Sequence, residues 1–193
     1  MAKVSVLVEG TAEQINGGWI ASSTVVLVES AGKKIIVDPG CDRKTLLSVL
    51  EKQKLALDSI NFVLLTHSHT DHALLAGIFE KAKVITPVEI YEDSTQKEYK
   101  SDFLGEGLKI IPTPGHCLEH CSLIVPTEKG TFAIAGDLFW WTKNETQKLD
   151  TEKIDDAHPS ETNMKTLIES RKKIMQIADY IIPGHGKMFK VEK

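Results

Sequence analysis

The stretch "LLTHSHTDHA", residues 64–73, places three histidines and an aspartate within six positions, directly behind an apolar run. Ionisable side chains crowded like this repel one another and lose solvent on folding unless something holds them together. A bound metal ion is the simplest such agent. His67 and His69 are two residues apart, so in extended chain both side chains fall on one face and can grip one ion. Asp71 and His72 follow where the pattern turns helical. Imidazole nitrogen and carboxylate oxygen, with no thiolate among them, suit zinc, and also iron or manganese.

Working outward, apolar runs of strand length recur at 3–10, 23–30, 33–38, 60–66, 108–113, 121–127, 131–136 and 180–183, each bounded by Gly, Pro or Asp. Helical spacing fits 43–55, 71–82 and 160–178, the last opening at a Ser160–Glu161 cap region. "SAGK" (30–33) and "TEKG" (127–130) read as hairpin turns. Strand pairs followed by interleaved strands and helices predict a layered α/β fold. Five times an apolar strand runs into a polar station: Asp38, His67, His116, Asp137 and His185. Strand-to-loop junctions at one sheet edge bring side chains together on a rigid scaffold, so the five stations predict one site.

The length of 193 residues predicts one domain over 1–193. A composition 41% apolar and 26% charged, without low-complexity runs, argues against disorder. The net charge of −4 and the scattering of lysines among acids give no footprint for duplex nucleic acid. No apolar stretch approaches the roughly 20 residues that cross a bilayer, and the N-terminus reads as a strand, so no membrane partner is expected. Three cysteines, Cys41, Cys117 and Cys121, fit a reducing cytoplasm better than a disulfide framework.

"HSHTDH" (67–72) resembles the H-x-H-x-D-H signature of the metallo-β-lactamase superfamily, and "VDPG", "TPGH", "AGD" and "PGHG" follow the family's order from Asp38 to His185. The C-terminal run from "AGDLF" and the small size resemble the subgroup typified by metallo-β-lactamase domain-containing protein 1. The resemblance implies a four-layer αββα sandwich with a metal site along one edge of two packed sheets. It implies two divalent ions, zinc before iron or manganese: His67, His69 and His116 on one, Asp71, His72 and His185 on the second, Asp137 bridging both. Asp38 matches a position that props the ligand loops by hydrogen bonding.

Such a pair of cations readies a metal-bound hydroxide, which predicts a hydrolase of an ester, thioester, lactone or phosphodiester, with Asp71 and Asp137 central to catalysis. Lactam-cleaving members place cysteine or serine at the station of Asp137, so a true β-lactamase is not expected. A single-stranded nucleic-acid phosphodiesterase and a mononuclear iron persulfide dioxygenase are the alternatives. The lysines Lys143, Lys148 and Lys153, diluted by neighbouring acids, do not favour a nucleic-acid partner over a small molecule.

Substrate recognition is expected from two loops. Residues 11–22 form a glycine-containing hairpin with Trp19 near its tip, and 138–160 carry Trp140 and Trp141. Trp19 is the candidate for touching substrate, whereas Trp140 and Trp141 read as core or subunit contact. His120 has two readings, proton donor to the leaving group or hydrogen-bonding partner of a ligand loop. His158 is a surface histidine or a substrate contact at the rim. Cys117 and Cys121 read as buried filler. Apolar loop surface on so small a fold predicts a homodimer.

Overall fold

A computed structural model describes residues 1–192. The chain opens with β1 (Lys3–Val8), the hairpin β2 (Thr11–Ile15) and β3 (Gly18–Ser22), then β4 (Val25–Ser30) and β5 (Lys33–Val37). Helix α1 (Arg43–Lys52) leads to β6 (Phe62–Leu64), the short helix α2 (Thr70–Ala73), and the strands β7 (Lys83–Ile85), β8 (Ile90–Glu92) and β9 (Thr95–Lys97). The remainder runs β10 (Lys109–Pro112), β11 (Cys121–Thr127), β12 (Gly130–Trp140), α3 (Met164–Ile177), β13 (Tyr180–His185) and β14 (Phe189–Lys190).

These strands build a seven-stranded sheet ordered β1-β4-β5-β6-β7-β8-β9, a five-stranded sheet ordered β10-β11-β12-β13-β14, and the separate β2–β3 hairpin. Period-two alternation explains why both faces of each sheet are apolar. Val26, Val28, Ile35, Val37 and Leu64 meet Leu123, Val125, Ile134 and Ile182 in a core between the sheets. Their sequence neighbours Leu27, Ile36 and Val63 point the other way, against Leu46 and Leu50 of α1. On the far side Ile124, Ala133 and Ile181 receive Leu167 and Ile174 of α3. The layers are therefore helix, sheet, sheet, helix: the expected αββα sandwich.

Both hairpin turns form where expected. Ala31 and Gly32 between β4 and β5 both take positive φ (49° and 73°), as the tight two-residue turn that matches strand twist demands. All three helices are shorter than the periodicity, α1 ending at Lys52, just before Lys54 takes a positive φ (56°). The pattern over 71–82 gives only α2, because the carbonyls that would extend it are already occupied: Asp71 O accepts from Ser23 N and His72 O from Gly40 N, both at 3.0 Å. Leu75 N then donates to Gly40 O instead of back into the helix. Helix α3 starts at Met164, not at 160, because the Asn163 side chain accepts from Thr166 N and caps it there. Strands β7 to β9 and β14 went unassigned in the sequence, each being two or three residues long.

Candidate metal centre

The connections at one edge of the two sheets carry the polar stations. Parallel strands β5 and β6 end together, delivering Asp38 and then His67 and His69, and α2 adds Asp71 and His72. His116 lies between β10 and β11, and His185 is the last residue of β13. Asp137 departs from the expected strand end. It sits within β12, where the register to parallel β13 shifts on both sides of Gly136, which takes φ 52°. Its carboxylate presses on the backbone of β13 so closely that a Cβ at position 184 would overlap Asp137 Oδ1, which is why glycine stands there.

Around Asp137 the side chains form two groups, each able to present its donor atoms to one ion: His67, His69, His116 and Asp137, and beside them Asp71, His72 and His185. Asp137 Oδ1 is 3.2 Å from His72 Nε2, and Oδ2 is 3.5 Å from His116 Nε2, 3.6 Å from His185 Nε2 and 3.9 Å from His67 Nε2. Asp71 Oδ2 lies 3.2 Å from His185 Nε2. His67 Nε2, His72 Nε2 and Asp137 Oδ1 are buried without any hydrogen-bond partner. Three such orphans facing one point are costly unless a cation receives their lone pairs.

The hydrogen bonds behind the rings settle which nitrogen faces inward. His185 Nδ1 donates to the Thr11 and Ser22 carbonyls, both at 3.2 Å, and a carbonyl can only accept. His72 Nδ1 donates to Asp38 Oδ2 at 2.8 Å, and His116 Nδ1 to Asp155 Oδ2 at 2.6 Å. Thr66 Oγ1 gives its proton to Asp38 Oδ2, so at 3.0 Å it accepts from His67 Nδ1. All four rings thus turn an Nε2 lone pair inward. His69 is reversed: Nε2 faces Glu161 Oε2 at 3.1 Å, and Nδ1 turns inward, 3.0 Å from His116 Nε2. Five imidazoles held as ligands by outer partners are what a metal site needs.

The protonation balance agrees. Burial disfavours charge on Asp137, yet His72 and His185 beside it hold its carboxyl well below the usual range. Burial is likewise outweighed at His72, raised well above its ordinary value by Asp137 and Asp38, and at His185, pushed up to about 9 by Asp137 and Asp71. His116 is raised against its burial by Asp155 and Asp137. His67 is driven well down, by burial and then by His72. The protons favoured on His72, His116 and His185 supply the positive charge that a metal ion would replace.

Above the cluster opens a cavity of about 420 Å³, with Asp137, His116 and His185 at its polar end. Trp19, Trp140, Cys41 and His158 are on its wall. The Trp19 and Trp140 rings meet edge to face, centroids 6.0 Å apart. Hairpin and centre are tied together, since the carbonyls that hold His185 belong to Thr11 and Ser22, a cross-strand pair at the base of β2–β3.

The sequence model of the Metallo-beta-lactamase superfamily matches residues 18–102. Metallo-beta-lactamase domain-containing protein 1 of Xenopus laevis is 31% identical over 202 residues, covering 98% of this chain and 82% of that protein. The chain belongs to the metallo-beta-lactamase superfamily. Solved structures agree in fold: a metallo-beta-lactamase family protein from Thermotoga maritima superposes with a TM-score of 0.70 at 23% identity, covering 98% of this chain and 99% of that one. Two further relatives hold metal pairs. One is in a di-iron-bound form (TM-score 0.64, 19% identity, 88% and 90% covered) and one is a dizinc quorum-quenching lactonase (TM-score 0.62, 18% identity, 87% and 74% covered).

In this member of the superfamily all seven histidines gather at one place, the outlying rings being His158, 4.2 Å from His69 between centroids, and His120, 5.1 Å from His67. Trp19 and His158 stand on the cavity wall and are exposed. His120 is not on that wall. It lies buried behind His67, its Nδ1 against Thr113 Oγ1 at 3.0 Å, and burial and then His116 bring it down to about 3. Its contacts are with the His67 ring and with Thr113, on the segment that leads to His116. Trp141 is core, packed with Phe189, whereas Trp140 faces the cavity instead of filling core alone. Cys117 and Cys121 are buried free thiols, burial raising Cys117 to about 12. Asp38, at φ 48°, accepts from Thr66 N, Thr66 Oγ1 and His72.

Sequence reasoning passed over Asp155, buried to 3% exposure beside His116. It also passed over Thr66 and Glu161. A carboxylate behind a ligand imidazole fixes its tautomer, and its loss typically weakens metal binding about 10- to 100-fold. Asp155→Ala is therefore expected to weaken metal affinity by that order, measured by competition with a fluorescent chelator, while unfolding stays cooperative. The pH dependence has a definite sign. His185, raised from 6.5 to about 9, contributes its ion pair below 6.5 and loses it as pH rises through about 9, and bound metal must displace that proton. Metal affinity is expected to climb from pH 6.5 to about 9 with proton release seen by calorimetry in buffers of different ionisation enthalpy.

Proposed function

We propose that the protein is a dinuclear metal-dependent hydrolase of small molecules. His67, His69 and His116 would hold one ion and Asp71, His72 and His185 a second, with Asp137 available to both. The observation that carries this reading is the common inward aim of the five imidazoles, with His67 Nε2, His72 Nε2 and Asp137 Oδ1 left without any other partner. Two divalent cations held there would lower the pKa of a shared water towards neutrality and polarise the bond to be cut.

The chain's own groups do the rest. Asp38, Thr66, Asp155 and Glu161 keep the rings in their ligand tautomers. Asp71, a quarter exposed at the cavity and 3.2 Å from His185, would accept a hydrogen bond from the attacking water. Di-iron and dizinc relatives support a metal pair and leave open which metal is native. An aspartate, in place of the cysteine or serine of lactam-cleaving members, supports a substrate other than a β-lactam.

Stripping the protein with a chelator and reloading it with zinc, iron or manganese tests the reading. Expected are two metal equivalents per chain, metal-dependent turnover within a panel of aryl ester, thioester, lactone and phosphodiester, and at least a hundredfold loss of turnover and of bound metal in Asp137→Ala. Turnover that survives chelation, wild-type rates in Asp137→Ala, or one iron per chain with oxygen consumption would each contradict it.

A further inference from the structure

The walls of the cavity differ sharply from its floor. Strand alternation in the β2–β3 hairpin sends Ala12, Trp19 and Ala21 to the cavity, while Glu13 and Ile20 pair on the opposite face. Ala12 and Ala21 are a direct cross-strand pair on the cavity wall, and larger side chains at these positions would narrow the cavity. Trp140 and Ala157 close the other side. Among the described residues that line the cavity there is no lysine or arginine. Two lysines of the adjoining loop are engaged: Lys143 pairs with Glu13 at 3.3 Å, and Lys153 pairs with Glu145 at 3.2 Å and donates to the Trp140 carbonyl at 2.7 Å.

We infer that the substrate is a carboxylic ester, thioester or lactone whose uncharged apolar acyl chain lies over Ala12 and Ala21 between Trp19 and Trp140, with its carbonyl at the Asp137 end. The inference rests on the hydrolase reading and narrows it. A phosphodiester carries its negative charge through every part of its binding, and sites that take one surround it with Lys or Arg. Beyond its floor this cavity offers such a charge the His158 ring and the hydroxyls of Ser68 and Thr70, and no lysine or arginine. An apolar chain exchanges water for two indoles and the alanine methyls, and a volume of about 420 Å³ falls within the range of small-molecule sites, about 300–1,000 Å³. The reaction balances as simple hydrolysis: water adds to the acyl carbon, the C–O or C–S bond breaks, and the alcohol or thiol leaves with one proton of the water.

The test uses the zinc-loaded full chain and two readouts. Binding of acetate, butyrate, hexanoate and octanoate, against diethyl phosphate, is followed by tryptophan fluorescence. Turnover is compared for 4-nitrophenyl esters of the same acids, for thioester and lactone counterparts of equal acyl length, and for bis-4-nitrophenyl phosphate. Affinity and kcat/KM are expected to rise about fourfold per added methylene until the cavity is full. Trp19→Ala is expected to flatten that slope with metal content retained, Trp19→Phe to keep most of it, and Ala21→Leu to shorten the preferred chain. No dependence on chain length in binding, or a faster metal-dependent turnover of the phosphodiester, would overturn the acyl assignment while leaving the hydrolase standing. Length-dependent binding without turnover of any substrate would overturn the hydrolase and keep the apolar channel.

Discussion

A carboxylate buried at 5% exposure among imidazoles is the constraint on which the rest of the structure turns. Asp137 has little solvent to screen it, and an unpaired charge in such a place costs several kcal/mol. Every strand end nearby answers that charge. Four histidine Nε2 atoms stand within 3.9 Å of its oxygens, drawn from positions as far apart as 67 and 185. No local stretch of chain can assemble that arrangement, so the two sheets must pack in one register for it to exist. The site and the fold are thereby one specification, and cations at the centre would stabilise both.

The outer groups show how this is enforced. Glycine at 184 lets β12 and β13 approach until the carboxylate lies against backbone, and the irregularity at Gly136 turns Asp137 out of the ladder. Asp38 accepts a left-handed backbone to reach Thr66 and His72 together. Residues 142–163 then fold back across the centre. Asp155 reaches His116 and Glu161 reaches His69, while Arg171 of α3 holds the segment by donating to the Thr151 and Lys153 carbonyls. The hairpin completes the enclosure, its base bonded to His185 and its face lining the cavity.

Much of this was legible in the letters because the decisive signals are local. The hexapeptide at 67–72 carries four donors by itself, and apolar runs ending in Asp or His announce junctions at a common edge. Layer order came with the family resemblance, and the packing accounts for it, since residues such as Leu27 and Val28 face opposite cores. What escaped depends on distant partners. Helix α2 stops early because its carbonyls bond Ser23 and Gly40. Asp155 looked like one more solvated acid, because the histidine that buries it is 39 residues away. His120 carried a catalytic reading from its spacing to His116, and only the packing reveals that it lies behind His67. Strands of two or three residues hold too little periodicity to register at all.

Anomalous diffraction from crystals of the protein grown with zinc or manganese addresses the central claim most directly. The account predicts two peaks about 3.5–4 Å apart, one touching His67, His69 and His116, the other Asp71, His72 and His185, with the Asp137 carboxylate between them. A single peak, or metal bound elsewhere while these seven side chains touch no ion, would contradict it.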